Sequence, residues 1–359
     1  MSVIAASAQI DIPSGLKLGN GKQIYQTACA ACHGSDGKGT PQELAGFIQP
    51  RTFPDFTRCD QTTPEMDNDW RAIIANGGPF RGFSQIMPSF RQALTPKQIN
   101  QVIEYVRGFC TAQGWPRGEL NLPRALVTEK AFPENETVIT TAVNAGGAPG
   151  ISNDIVYEQR FAAKNEIEVA VPVDFVNQNH TWYGGFGDAA LGLKREIFSD
   201  FRSGSIFSVQ GEVALPTGNS AHGLGSGVTT FEAFAAYGQL LPGKTFFQIQ
   251  AGTEQPVDTA KAPRTFFWRN AVGKQFNGSG GLGRMWSPML EVIADRDFRS
   301  GAKTDWDLLP EMQVTISRRQ HIRANVGVRI PAANTAGRGP QVLFYLLWDW
   351  QDGRLTEGW

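Results

Sequence analysis

Two of the four cysteines in this 359-residue chain stand three apart in Cys29-Ala30-Ala31-Cys32-His33. Thiols one helical turn apart can each form a thioether with a haem vinyl group, and the next residue, His33, then turns its imidazole toward the iron. One short segment would thus fix a covalent cofactor and an axial ligand together. The Cys-x-x-Cys core also serves zinc sites and dithiol redox centres. A structural zinc site, however, needs a second ligand pair at comparable spacing, and Cys59 and Cys110 are isolated from each other and from any histidine. We therefore read one covalently attached haem c on Cys29, Cys32 and His33.

The neighbouring elements agree with that chemistry. Asn20-Gly21-Lys22-Gln23 reads as a capping box, with Asn20 as N-cap and Gln23 at N3, opening a helix that runs into the motif. Downstream, Gly34-Ser35-Asp36-Gly37-Lys38-Gly39 is a turn. A last helix is predicted from Thr95 as N-cap, Pro96 at N1 and Gln98 at N3, with Ile99, Val102, Ile103 and Val106 on one apolar stripe.

Over roughly residues 16 to 112 the sequence resembles a class I cytochrome c. The resemblance rests on Gly21 and Tyr25 before the motif, the Gly34 to Gly39 loop, Met87-Pro88 and the closing helix. It implies that Met87, in Gln85-Ile86-Met87-Pro88, is the second axial ligand, and that Gly21, Tyr25 and Tyr105 sit where the first and last helices cross. Met66 is the competitor; it lies in Thr63-Pro64-Glu65-Met66, read as the first turn of a helix continuing through Trp70, Ile73 and Ile74 to Gly77-Gly78. With His33 and Met87 both on the iron, no open position remains for substrate, so the expectation is outer-sphere electron transfer with no substrate chemistry at the iron. Oxidation of an external metal ion at the outer membrane is the enzymatic alternative. Cys59 and Cys110 form an even remainder in an oxidising compartment and are read as a disulfide.

Residues Ser2 to Gln9 resemble the tail of a secretory signal, with Ala6-Ser7-Ala8 as the small-x-small site. No run of about 18 apolar residues exists to form a transmembrane helix. The formal net charge of −1, without long basic or acidic runs, gives no reason to expect nucleic acid as a partner. The expected organisation is a signal remnant and N-terminal arm (1–15), the cytochrome c domain (16–114), a linker (115–135) and a β-domain (136–359).

In the β-domain, alternation dominates. Ile167, Val169, Val171, Val173 and Phe175 share one face of a run whose other face carries Glu166, Glu168 and Asp174. The pattern returns at 205–215 and 322–330, and weaker runs bring the total to about twelve, an even number as in single-chain bacterial barrels. Two architectures accommodate such strands: a soluble β-sandwich with its apolar faces stacked, and an antiparallel membrane β-barrel with those faces in lipid. Strand length, charges of both signs on the opposite face and aromatics near strand ends, such as Trp182, Trp286, Trp306 and Trp348, favour the barrel. Residues 150 to 359 also resemble the outer-membrane transporter-like barrels associated with the meta-pathway of phenol degradation. The segments 187–194 and 213–218 carry the resemblance. His180, His222 and His321 have no spacing that demands a metal.

The chain as a whole therefore reads as multidomain: an all-α class I cytochrome c domain followed by an antiparallel β-barrel, similar in plan to cytochrome-porin fusions. A 100-residue domain has a radius of gyration of about 13 Å, too wide for the lumen of such a barrel, and is expected at its mouth on the periplasmic side. The expected partners are a periplasmic redox protein and outer-membrane lipid. Electrons would pass between that carrier and a donor or acceptor at the barrel. The alternatives are a transport channel or membrane anchor whose cytochrome docks to a respiratory or photosynthetic complex, and a soluble periplasmic cytochrome subunit.

Overall fold

A computed structural model of the protein describes residues 18–51, 53–146, 149–277 and 285–359. The expected signal remnant and arm lie outside the described residues. The chain divides into two compact units, one of Met1–Arg58, Asp67–Pro79 and Phe83–Thr111, the other of Cys59–Met66, Phe80–Gly82 and Ala112–Trp359. Among the described residues the α-helices are α1 (Gly21–Ala28), α2 (Ala30–His33), α3 (Cys59–Thr62), α4 (Asp67–Asn76) and α5 (Pro96–Arg107).

The first unit is built on the crossing of α1 and α5. The Asn20 side chain accepts the Gln23 N–H at 3.0 Å, while Gln23 Oε1 accepts from Gly19 rather than from Asn20, one residue earlier than the capping box predicts. At α5 the box is complete, with Thr95 and Gln98 satisfying each other's backbone N–H. Ile24 and Tyr25 from α1 pack with Ile99, Val102, Ile103 and Val106 from α5 in one buried cluster. A Cβ on Gly21 would lie 1.9 Å from the Gln101 carbonyl oxygen, so only glycine lets the two helices approach this closely. α4 begins at Asp67, three residues later than the predicted Pro64 start. The Thr63 N–H and hydroxyl bond back to the Cys59 carbonyl and extend the turn of α3 instead.

The second unit is a closed antiparallel barrel. Its strands are β1 (Glu136–Asn144), β2 (Gly150–Phe161), β3 (Asn165–Gln178), β4 (Thr181–Phe186), β5 (Ala190–Asp200), β6 (Ser205–Ala214), β7 (Thr230–Leu241), β8 (Thr245–Pro256), β9 (Thr265–Lys274), β10 (Phe276–Asn277), β11 (Met285–Asp297), β12 (Asp305–Thr315), β13 (Ile322–Ala333) and β14 (Gln341–Asp349). Each strand pairs with its neighbour, β1 pairs with β14, and β9 pairs with β11 from Met289↔Gly273 to Asp297↔Thr265. β4 only extends the edge of β3, and β10 is a two-residue pairing with β11. The wall is therefore the other twelve strands, the number expected.

Burial decides between the two β-architectures. Ile167 is 42% exposed and Leu193 54%, whereas Glu166, Glu158, Glu196 and Glu291 on the opposite face have no exposed surface. A sandwich would bury the isoleucine face; this barrel presents it outward, as a lipid-facing surface requires, and keeps charge inside. Three connections at the end where Glu136 pairs with Asp349 have only three or four residues, at 162–164, 201–204 and 242–244, while 316–321 and the span between β9 and β11 there are longer. Those at the other end are longer, as at 215–229 and 334–340.

Inside the wall lies the stretch read from sequence as a linker. Leu120, Leu122, Arg124, Leu126, Thr128, Lys130 and Phe132 are all buried. The Leu126 N–H donates to Glu311 at 2.9 Å, and the Val127 and Thr128 N–H groups donate to Glu291 at 3.0 and 2.6 Å. The Arg124 carbonyl accepts from the Tyr345 hydroxyl at 2.8 Å, and the Pro123 carbonyl from Gln248 at 2.9 Å. Leu120, Ala131 and Phe132 pack on Ile206, Phe234 and Phe267 of the wall. Strand glycines make the room: a Cβ on Gly327 would sit 2.7 Å from Leu126 Cδ1, and one on Gly238 3.0 Å from Leu122 Cδ1. Residues 118–135 are thus a plug. An irregular backbone is tolerated at membrane depth because the wall's side chains satisfy its polar groups.

Candidate haem site

The haem motif is one continuous helical turn. The Cys32 and His33 N–H groups both donate to the Cys29 carbonyl, at 3.1 and 2.9 Å. Cys29 and Cys32 are free, half-buried thiols. Burial pushes the Cys29 thiol up to about 11. The same desolvation pushes His33 down to about 4, so its imidazole is neutral and able to bind a metal. The His33 ring stacks on Phe53 at 5.0 Å and leans on Phe56 at 5.0 Å, and its Nδ1 is buried with no hydrogen-bond partner among the described residues.

The carbonyls that leave the motif are all held. Tyr25 donates its hydroxyl to the Gly34 carbonyl at 2.8 Å and to that of His33 at 3.2 Å. The Gly39 N–H donates to the His33 carbonyl at 2.9 Å, and the Thr40 N–H to that of Cys32 at 2.9 Å. Burial, reinforced by nearby Cys29, raises the Tyr25 pKa and keeps that hydroxyl a donor. Sequence reasoning placed Tyr25 at the helix crossing, where it does meet Tyr105 with ring centroids 5.4 Å apart. It missed the bonds to the motif and the two phenylalanines around His33. The periodicity of a helix says nothing about a hydroxyl reaching nine residues on.

Met87 is carried by a loop folded back on the end of α4. The Gly78 N–H donates to the Met87 carbonyl at 3.0 Å, Phe90 N–H to Ile74 at 3.0 Å, and Arg91 N–H to Ala75 at 3.1 Å. Gly77 is left-handed at φ +86, and a Cβ on Gly78 would meet the Ser84 carbonyl oxygen at 2.2 Å. The Gly77-Gly78 pair, expected only as a helix stop, is therefore what lets the Met87 loop lie so close. Cys29, Cys32, His33 and Met87 all belong to the first unit, whereas Met66 belongs to the second.

Two free thiols on one turn, a neutral buried imidazole with an orphan nitrogen and a thioether on a glycine-supported loop make a donor set suited to a thioether-linked haem. Two of the remaining histidines make other contacts. His222 stacks on Tyr183 at 4.2 Å, and His321 is buried between the Ser317 hydroxyl at 2.9 Å and the Arg354 carbonyl at 3.0 Å.

Fold and site together define the class: a c-type cytochrome domain fused to a closed twelve-stranded β-barrel of the porin kind. Residues 18–109 match the cytochrome c family, which brings covalently attached haem c as the cofactor. The chain is also similar to an outer membrane channel from Pseudomonas putida F1 (12% identity, TM-score 0.43, 63% of this chain and 99% of that one). It is similar to the NanC porin (9%, 0.39, 59% and 97%) and to the KdgM porin (6%, 0.38, 59% and 98%). Likeness at those scores adds nothing to what strand closure and inside-out burial already establish. No curated protein matches the chain.

Proposed function

We propose that the protein is a single-haem electron-transfer protein of the outer membrane. In this reading Cys29 and Cys32 form the thioethers, and His33 and Met87 take the two axial positions. The observation that carries it is the Cys29–His33 turn with its neutral imidazole, together with a methionine loop of the same unit that two glycines hold in place. When bound, the haem supplies a one-electron couple. The chain's own residues hold it, fill both axial positions so that substrate has no place on the iron, and surround the His33 ring with Phe53 and Phe56.

The lipid-facing wall supports the membrane assignment, and the pattern of short and long connections supports its orientation. Barrels of this type keep short turns on the periplasmic side. The chain enters the barrel at that end, where the Arg117 guanidinium lies 4.6 Å from the centre of the Phe201 ring, beside a short turn. The haem domain would then face the periplasm and exchange electrons with a periplasmic redox protein. Whether the barrel also delivers a donor or acceptor is a separate matter, and the plug favours the reading in which it serves chiefly as an anchor.

A haem stain of separated membrane and soluble fractions tests this reading, with heated and unheated samples run side by side. Haem in the outer-membrane fraction with heat-modifiable mobility is expected; haem in the soluble fraction would overturn the membrane assignment. On intact cells, reduction of the haem by an impermeant donor added outside would favour transfer through the barrel. Reduction only from the periplasmic side favours the anchor.

A further inference from the structure

At one place in the lumen, carboxylates from the plug and the wall converge. Glu129 on the plug, Glu158 on β2 and Glu168 on β3 each bring a carboxylate oxygen within 4.8 Å of the others. Glu158 and Glu168 are buried in the wall. The cations nearby are committed. Arg124 sits on Glu158 at 2.8 Å, on Glu136 at 3.0 Å and on Glu129 at 3.3 Å, and Lys194 on Glu166 at 2.8 Å.

Gln210 of β6 supplies the second, independent sign. It is only 4% exposed, its Nε2 donates to Glu168 at 3.2 Å, and its Oε1 is buried with no hydrogen-bond partner among the described residues. The second oxygen of Glu129 is likewise buried and unpartnered. A buried acceptor oxygen without a donor calls for a water or a cation to satisfy it. Gly192 keeps the place open: a Cβ there would stand 3.1 Å from Gln210 Nε2 and 3.3 Å from Glu168 Cβ.

We propose that Glu129, Glu158, Glu168 and the Gln210 amide oxygen form a binding site for a hard divalent cation that joins the plug to the barrel wall. All four donors are hard oxygens, the set that calcium-like ions take, with water completing the shell. Because one ligand comes from the plug and the others from the wall, occupancy would fasten the plug in place.

The site can be tested on the full haem-containing chain in detergent after treatment with a chelator. Manganese(II) binding is read by electron paramagnetic resonance, and calcium is used to displace it. One saturable equivalent is expected in the parent protein. Glu129→Gln and Glu168→Gln should each weaken binding at least tenfold, while Glu254→Gln, a lumen carboxylate outside the cluster, leaves it unchanged. Heat-modifiable mobility confirms that each variant is folded; Glu129→Gln, on the plug rather than the wall, decides the matter if Glu168→Gln does not fold. Absence of saturable binding in the parent would overturn the proposal, as would equal weakening by all three substitutions, which would mean diffuse attraction to an acidic lumen.

Discussion

Replacing Arg124 by methionine should loosen the plug. The guanidinium donates from Nη1 to both oxygens of Glu158 at 2.8 Å and to Glu136 at 3.0 Å, and Arg124 is 6% exposed while both glutamates are fully buried. Removing one partner of a buried ion pair costs about 3–5 kcal/mol, because the other charge stays buried without compensation. With the plug withdrawn, those glutamates would instead face a water-filled lumen, so the cost falls on the plugged state alone. The ratio of plugged to open barrels should therefore drop by roughly 140- to 3,700-fold at about 1.4 kcal/mol per decade. The remaining attachments, chiefly Thr128 on Glu291 and Leu126 on Glu311, still favour the plugged state. Single-channel recording in planar bilayers is the assay: a parent barrel with rare openings, and an Arg124→Met barrel with frequent ones and new protease cleavage between 118 and 135. Arg124→Met combined with Glu158→Gln should recover part of the loss, since the stranded charge is gone. Parent-like conductance and protease resistance in Arg124→Met would refute the claim that this ion cluster holds the plug.

Three further outcomes follow from the same geometry. Gly21→Ala places a methyl 1.9 Å from the Gln101 carbonyl oxygen, so the haem domain should lose about 1–3 kcal/mol, seen as a lower denaturant midpoint of the haem absorption, with the barrel unaffected. Met87→His should lower the reduction potential and remove the methionine-to-iron absorption band; an unchanged potential and band would take Met87 out of the site. Leu193→Arg puts a charge on a residue 54% exposed on the outer face; it should destabilise the barrel by about 2–4 kcal/mol in lipid if Leu193 lies near the midplane, whereas no effect on folding in bilayers would argue against a lipid-facing wall there.

Much of the cytochrome unit and of the barrel wall was legible because the signals are local. Cys29, Cys32 and His33 act through spacing within one turn, and Thr95, Pro96 and Gln98 cap a helix through contacts three residues apart. The strand runs were readable because a pleat sends successive side chains to opposite faces. The sequence missed β4 and β10, whose short lengths leave too little alternation to detect. The three-residue error at the start of α4 has a similar origin: Thr63 and Pro64 make a plausible helix start, and only the bond from Thr63 back to Cys59 assigns them to the preceding turn.

The sequence by itself determined a haem attachment segment, the helices that frame it and about twelve two-faced strands. Tertiary structure alone decided which face of those strands points outward, because alternation is the same whether isoleucines meet a second sheet or lipid. It also decided that the Gly77-Gly78 pair serves the Met87 loop and that residues 118–135 fill the barrel. A buried irregular segment has no period of its own; its hydrogen bonds run to Gln248, Glu291, Glu311 and Tyr345, more than 120 residues along the chain, so nothing in its local sequence distinguishes it from a linker.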